Sequence, residues 1–449
     1  MIEVGSEHAL LIDDVALPAG LGVARIGQLV VFVPGGLPGD RVQARILKLE
    51  KRFAYGEIQR IEEASPFRRS APCPYLHDCS GCGLQGLAYE KQIEIKENHL
   101  RQVLRRIGGT ALDEATFSPM VPSIDAFHYR SKVELTFGES GGGVVVGMIE
   151  RLSALRPFTG RLVPIDDCRL FSPVLARILP AIRDLSARSG LHALDSSTGK
   201  GTLGRLIVRE GKRTGDVMVN FMGETDIAGS LAYLSKTLAH AVPEVQSIYA
   251  TKGNRPRLIW GRPYIEEMLE DLSLRIYPLS FFQPNPKTAE LLYRRLAAAV
   301  RIRGDERVLG LYCGAGTIEL FLARHVKEVR GIDSSGESIA CAAENASLNR
   351  LENVSFTKGR VERALSREGR GKADLVVVDP PRAGLSAEAL AAILRTGARK
   401  VAYVSCNPST LARDLKGLQR LYDPKEIAPF DFFPQTTHFE VLAVLEKRA

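Results

Sequence analysis

Residues 29–33 form an unbroken apolar run, closed by Pro34-Gly35-Gly36 and Pro38-Gly39-Asp40. Residues 41–49 then alternate apolar with polar and basic positions, and residues 55–61 alternate again. A period of two marks half-buried strands, and Gly/Pro clusters mark the turns between them. Residues 1–62 are therefore predicted to form a small β-barrel of the OB type. The period lengthens at residues 89–107. There Ile93, Leu100, Val103, Leu104 and Ile107 recur on one helical face, Lys96, Arg101, Arg105 and Arg106 stand off it, and Gly108-Gly109 ends it. From residue 125 to about 262 the strand period returns at 129–137, 141–148, 206–209 and 217–221, with helical segments at 173–188 and 227–240.

The last third alternates short apolar runs with helical patterns. Residues 307–322 are read as a strand, a glycine turn and a helix; further strands are predicted at 328–332, 354–358, 373–379 and 401–404, and a closing hairpin at 426–433 and 440–445. The 373–379 run is nearly continuously apolar, which fits a parallel strand covered on both faces. Strands alternating with helices build an open α/β sheet, and such sheets bind ligands at the carboxyl ends of their strands. The expected architecture is an α/β multidomain chain: a β-barrel at 1–62, a β-rich central region at 63–262 and a Rossmann-like domain at 263–449.

With 449 residues, 45% of them apolar, the chain can bury several cores. No stretch is long and apolar enough to span a bilayer, and the first residues lack a basic region followed by an apolar one. A cytoplasmic enzyme is the expectation, as a monomer, since no added oligomerisation element is visible. The net charge of +8 suits a polyanionic partner such as nucleic acid. In the first region Arg41, Arg45, Lys48, Lys51 and Arg52 are either phosphate contacts or an ordinary solvated face.

The seven cysteines, an odd number, argue against a disulfide framework. Cys73, Cys79 and Cys82 form a C-x5-C-x2-C run, and Cys168 is the remaining cysteine before the last third. Four thiolates suit zinc or a [4Fe–4S] cluster, and spacing does not separate the two. Gly314 and Gly316 follow the strand at 307–311 and permit close approach of a ligand. The position where a dinucleotide fold places its third glycine holds Glu319, whose charge would repel a pyrophosphate. A nucleoside donor without phosphates, such as S-adenosylmethionine, is the reading that survives. Asp333 ends the next strand, where a carboxylate can accept ribose hydroxyls or cap the following helix. Asp379-Pro380-Pro381-Arg382 sets a rigid carboxylate at a strand tip, and Ser405-Cys406-Asn407-Pro408 sets a thiol at the next one.

A methyl donor beside a thiol has a specific use. A thiolate that adds to carbon 6 of a pyrimidine makes carbon 5 nucleophilic, and a base must afterwards take the carbon-5 proton. Cys406 fits the nucleophile, provided its pKa is depressed from about 8.5. Glu440 is the candidate base, and Asp379 can bond the uracil edge or the donor.

These residues also carry a family resemblance. VSCNPSTLARDL, DPPRAGL, LYCGAGT, FFQPNP and DFFPQTTHFEVLAVLEK together resemble the RNA uracil-5-methyltransferases, which make 5-methyluridine in ribosomal or transfer RNA. The resemblance covers nearly the whole chain. It implies Cys406 as nucleophile, Glu440 as base, and Gln283, Tyr312, Thr317, Asp333 and Asp379, beside Gly314, as donor or active-site contacts. It implies Phe281 near a flipped base, an RNA-binding TRAM domain at the N-terminus, and a [4Fe–4S] cluster on Cys73, Cys79, Cys82 and Cys168 in preference to zinc. Arg130 and Lys132 are the further candidates to meet RNA, with ribosomal RNA favoured over tRNA. Two positions depart from the family pattern: Asp333, where Glu is frequent, and Arg360 after Gly359, which puts an adenine contact there in doubt. An amino-group methyltransferase using the Asp379-Pro380-Pro381-Arg382 loop, a 5-methylcytosine enzyme and a non-catalytic RNA-binding factor are the rival readings.

Overall fold

The computed structural model describes residues 2–108, 113–151, 159–188, 190–195, 198–224, 227–368 and 373–448. Gly109, expected to end the first long helix, lies outside them. The N-terminal sheet has six strands, in the spatial order Glu7–Leu11, Arg41–Leu49, Phe53–Glu63, Leu29–Val33, Leu21–Ile26 and Asp14–Ala16. Its inward positions, among them Leu10, Val31, Val33, Val42, Ala44, Ile46 and Ala54, form a small core of their own.

The central sheet has seven strands, in the order Arg255–Gly261, Val245–Lys252, Val217–Gly223, Arg205–Glu210, Lys132–Ser140, Gly143–Ile149 and Leu162–Pro164. Helices Leu175–Arg188 and Ala228–Ala241 cover it. The sequence pattern did not show Val245–Lys252 or Arg255–Gly261. The first buries Ser247 and Thr251, which masks its alternation. The second is an edge strand with mostly exposed or half-exposed residues and Pro256 within it.

The C-terminal sheet also has seven strands, in the order Val354–Lys358, Glu328–Asp333, Arg307–Leu311, Leu375–Val378, Lys400–Ser405, Glu440–Lys447 and Tyr422–Phe430. The first five are parallel and the last two form an antiparallel hairpin at one side. Apolar side chains cover both faces, as the continuous runs predicted. A second hairpin, Ile265–Leu269 with Leu272–Ile276, packs into one of these layers.

The helix Tyr89–Gly108, expected with the central region, covers the C-terminal sheet instead. Its Leu100 and Leu104 pack with Val401, Tyr403, Leu411 and Leu415. Its buried face differs from the predicted one. Gln92 and Lys96 are fully buried, whereas Ile107 is 43% exposed. Lys96 is not a solvated charge: its Nζ donates to Asp431 Oδ1 at 2.7 Å, with both side chains out of contact with solvent.

Candidate active site

Sheet topology assembles the reactive groups. Lys400–Ser405 lies between the parallel strand Leu375–Val378 and the antiparallel strand Glu440–Lys447. Ser405 pairs with Val441, so the next positions outward on the two strands are Cys406 and Glu440. On the other side Val378 pairs with Tyr403, and Asp379 follows it out of the sheet. Thiol and two carboxyls thus stand at three adjacent strand ends, on the edge where an open sheet binds ligands. The chain leaves Cys406 by a tight cap. Asn407 Oδ1 accepts the Ser409 N–H at 3.1 Å, and Pro408 starts the helix Pro408–Leu418. Asn407 Nδ2 also donates to the Arg382 carbonyl at 3.0 Å, tying the proline loop to the helix that follows Cys406.

The groups act on one another electrostatically. Burial pushes the Asp379 carboxyl up to about 7. Burial, then the Asp379 charge, drives Glu440 well above the ordinary carboxylate range, while Arg382 pulls it down. The Cys406 thiol is pushed up to about 11, by burial first and then by Glu440 and Asp379; Arg382 is the opposing cation. The expected depressed thiol is therefore not what the free protein holds. A thiol beside two carboxyls in a dry edge pays desolvation and repulsion, and one arginine does not cancel them. Burial, Arg382, Arg130 and Lys96 take His438 down to about 4, so the imidazole is neutral at physiological pH.

The donor turn is built on strained backbone. Tyr312, a non-glycine residue, has φ +59°, and Gly314 and Gly316 have φ +54° and +76°. The two glycines do different things. A Cβ on Gly316 would strike Phe356 Cζ at 2.6 Å, so this position packs the helix start rather than a ligand. A Cβ on Gly314 would meet only the Phe281 side chain, at 3.5 Å, so Gly314 faces the open side of the turn. Phe281, 56% exposed, stands over it. Asp333 serves the turn directly: its Oδ2 accepts the Gly314 N–H at 3.0 Å and its Oδ1 the Ser335 N–H at 2.8 Å. The helix cap is Ser335, and each Asp333 oxygen keeps a lone pair for a ligand hydroxyl. Thr317 Oγ1 lies 2.8 Å from Tyr293 Oη, and Gln283 bonds the same phenol, so these two predicted contacts are joined through a tyrosine that the sequence reading did not single out. Arg360 turns outward toward Glu362, 68% exposed, which leaves the space by Gly359 clear. The open Gly314 and the half-exposed Asp333 fit a nucleoside donor. Glu319 does not face that space. It lies beneath the turn against Gly310, where a Cβ would meet Glu319 Oε1 at 2.0 Å, and burial raises its carboxyl to about 8. Its absence of charge at neutral pH removes the electrostatic ground for excluding a pyrophosphate, and the exclusion rests on the missing third glycine.

Residues 431–440 form a junction that the sequence did not reveal. Lys96 Nζ holds the loop through Asp431 and through the Phe433 carbonyl at 3.2 Å. Gln92 and Gln435 exchange two hydrogen bonds of 2.9 Å, with Gln435 at φ +68°. The Gln435 carbonyl accepts the Gly83 and Leu84 N–H groups at 3.1 and 2.9 Å. Thr437 Oγ1 donates to the Pro18 carbonyl at 2.9 Å. The loop that delivers Glu440 is thereby clamped by the N-terminal domain, the thiol loop and the long helix together. Two large polar residues four apart on an otherwise apolar helix face, Gln92 and Lys96, were the available signal.

At the thiol loop, Cys168 lies within electrostatic reach of Cys73, Cys79 and Cys82, and burial pushes Cys82 up to about 12. The Gly81 N–H points at Cys79 Sγ (3.3 Å) and Gln85 Nε2 at Cys82 Sγ (3.6 Å). Arg151 Nη2 binds the Leu76 and Cys79 carbonyls, each at 3.0 Å, and the Cys82 carbonyl. Among the described residues no three His, Cys, Asp or Glu side chains converge to hold a metal ion. Zinc, at about 2.3 Å from each sulfur, needs thiols in near contact; a larger cluster does not. An all-thiol donor set with N–H groups aimed at sulfur fits such a cluster. Arg130, half-buried, sits by Cys82 and Cys168, with its guanidinium 5.9 Å from the Phe433 ring centre. Lys132 pairs with Glu134 at 2.5 Å. Cys341 is buried.

Residues 226–448 match the tRNA (uracil-5-)-methyltransferase family, and residues 2–58 the TRAM domain. An uncharacterized RNA methyltransferase of Halalkalibacterium halodurans is 34% identical over 95% of this chain and 94% of its own. One of Gloeobacter violaceus is 37% identical over the same shares. Among solved structures, the tRNA (uracil-54, C5)-methyltransferase of Pyrococcus abyssi, in complex with S-adenosyl-L-homocysteine, is 27% identical; the match covers 98% of this chain and 100% of that one, with a TM-score of 0.74.

Proposed function

The chain belongs to the RNA uracil-5-methyltransferase family, and from that membership we propose that it forms 5-methyluridine through a covalent bond between Cys406 and carbon 6 of a target uridine. The observation that carries this reading is the pairing of strand ends that sets Cys406 and Glu440 opposite one another with Asp379 alongside. S-adenosylmethionine, when bound at Gly314 and Asp333, supplies an electrophilic methyl group. Cys406 adds to carbon 6, and the ring's electron pair moves onto carbon 5, which can then be methylated. Arg382 is the cation that favours the thiolate. Asp379, near pH 7 a mixture of carboxyl and carboxylate, can either donate to a uracil carbonyl or accept from N3–H. Glu440 then takes the carbon-5 proton, the C5–C6 double bond re-forms and the Cys406 thiolate leaves. Its burial makes Glu440 a stronger base than a surface carboxylate. A uridine stacked in folded RNA must be extruded to reach Cys406, and Phe281, exposed over the donor turn, offers the extruded base a face.

The substrate is ribosomal RNA in preference to tRNA, and the site of action the cytoplasm; no helix among the described residues is long and apolar enough to cross a membrane. Cys73, Cys79, Cys82 and Cys168 hold a [4Fe–4S] cluster that cross-links the thiol loop to the segment bearing Cys168; iron and sulfide assay with visible absorbance on anaerobically purified protein checks it. Nucleoside mass spectrometry of RNA treated with donor tests the reaction itself. Wild type should yield 5-methyluridine and Cys406→Ala none. An N-methylated base from both proteins would instead support the amino-group reading, and 5-methylcytidine the cytosine one.

A further inference from the structure

Three aromatic rings stand together on the outer face of the N-terminal sheet. Leu29–Val33 and Phe53–Glu63 run parallel, with Val30 beside Phe53 and Phe32 beside Tyr55. Alternation keeps Val31, Val33 and Ala54 in the core and turns Phe32, Phe53 and Tyr55 outward, half-buried against each other. Their ring centroids are 5.6 to 5.7 Å apart. None of the three belongs to the domain's core. Aromatic area left on a sheet face forgoes the stabilisation it would have inside.

Cations lie near the rings, and the structure sorts them. Arg41, Arg45 and Lys48 are paired with Glu63, Glu7 and Glu50. Lys51 and Arg52, exposed in the turn that enters Phe53, have no carboxylate partner among the described residues, and neither does Arg25, which faces Val30 across the sheet. The same domain touches the catalytic loop through Pro18 and Gly20, the latter against Gly83 and Thr437. From Gly20 to Arg25 is about 17 Å of strand at a rise of about 3.3 Å per residue.

We propose that Phe32, Phe53 and Tyr55, with Lys51, Arg52 and Arg25, form a stacking platform for a single-stranded RNA segment that flanks the target uridine. The proposal rests on the RNA methyltransferase reading and adds a binding site separate from the pocket at Cys406. Every base has a π-face, so stacking on such a platform tolerates sequence while cations follow the backbone. Bases inside a duplex have both faces covered by neighbours and cannot lie on the rings. The platform thus holds unpaired nucleotides a short distance from the uridine and leaves discrimination of the base to the active site.

The test is titration of the full-length protein with a labelled single-stranded uridine-rich RNA and with the same strand in a duplex. Phe53→Ala and Tyr55→Ala should each weaken single-strand binding roughly 5- to 150-fold, and Phe53→Trp should preserve it. Lys51→Ser with Arg52→Ser, which leaves the rings in place, should reduce the salt slope by about 1.4, at about 0.7 per phosphate contact. Unchanged affinity for S-adenosylmethionine shows that the variants are folded. Alanine variants that bind the single strand as wild type does, or a duplex bound as tightly as the single strand, overturn the proposal. Methylation in the same samples separates it from its premise. Platform variants should raise KM and keep kcat, whereas wild type that binds RNA and makes no 5-methyluridine refutes the catalytic reading while the binding data still judge the platform.

Discussion

Glu319 and Glu440 are both buried carboxyls, and their surroundings give them different work. Glu440 stands opposite the thiol with Arg382 nearby, and in the proposed reaction its raised proton affinity serves proton removal. Replacing it with Gln removes the base and keeps the shape. Glu440→Gln should therefore form the thiol adduct and stall, so that a denaturation-resistant complex accumulates on ordinary RNA while turnover falls by about 10²–10⁴. Gel shift under denaturing conditions reads this directly. Glu319 has no such partner: its Oε2 is buried without a hydrogen bond. Its folded pKa, about 8, lies above the ordinary value of 4.5, so the folded state holds the proton more tightly. That advantage is complete below pH 4.5 and lost as pH rises through about 8. Glu319→Gln should match wild type at acid pH and be more stable above pH 8, by on the order of 2–4 kcal/mol in denaturant titrations. Equal pH dependence of the two proteins would show that the carboxyl ionises without cost.

The strand that carries Glu440 is only as well placed as the loop before it. Residues 431–440 are held by Lys96–Asp431, by Gln92 with Gln435, and by the thiol-loop amides on the Gln435 carbonyl. Removing one partner of a buried ion pair strands the other, at a cost of about 3–5 kcal/mol. Lys96→Met should lose that much stability in urea titration, and Lys96→Met with Asp431→Leu should recover most of it. Gln435→Ala keeps the main-chain bonds to the thiol loop and to Gln92 Oε1 but deletes the side-chain bonds to Gln92 Nε2 and the Ala126 carbonyl. It should lower kcat about tenfold, on the order of 1.4 kcal/mol for two neutral bonds, with KM for RNA unchanged. A fall in RNA affinity with kcat intact would place the loop's role in binding.

Over the whole molecule, what the sequence made legible follows from periodicity and local chemistry. Strands Arg307–Leu311, Leu375–Val378, Lys400–Ser405 and Glu440–Lys447 announced themselves because they are buried nearly throughout, and Cys406 and Glu440 because each ends or begins such a run. What was hidden depends on distant partners. Lys96 looks solvated until Asp431, far along the chain, is placed against it. Gly316 looks like a ligand contact until Phe356 fills the space beside it. The thiol's high pKa arises from burial and then from carboxyls at the ends of two other strands. The N-terminal domain and the thiol loop meet at the loop before Glu440 through Pro18, Gly83 and Thr437, so the proposed RNA platform and the proposed chemistry at Cys406 would be mechanically joined. The most direct measurement is a covalent trap: wild type and Cys406→Ala incubated with donor and 5-fluorouridine-substituted RNA, then denatured. Fluorine cannot leave as a proton does, so the methylated adduct persists on the thiol. Wild type should carry RNA through denaturation and Cys406→Ala should not, with the trapped sequence naming the target. An adduct that survives in Cys406→Ala, or none with wild type that binds both donor and RNA, would contradict nucleophilic catalysis at this cysteine.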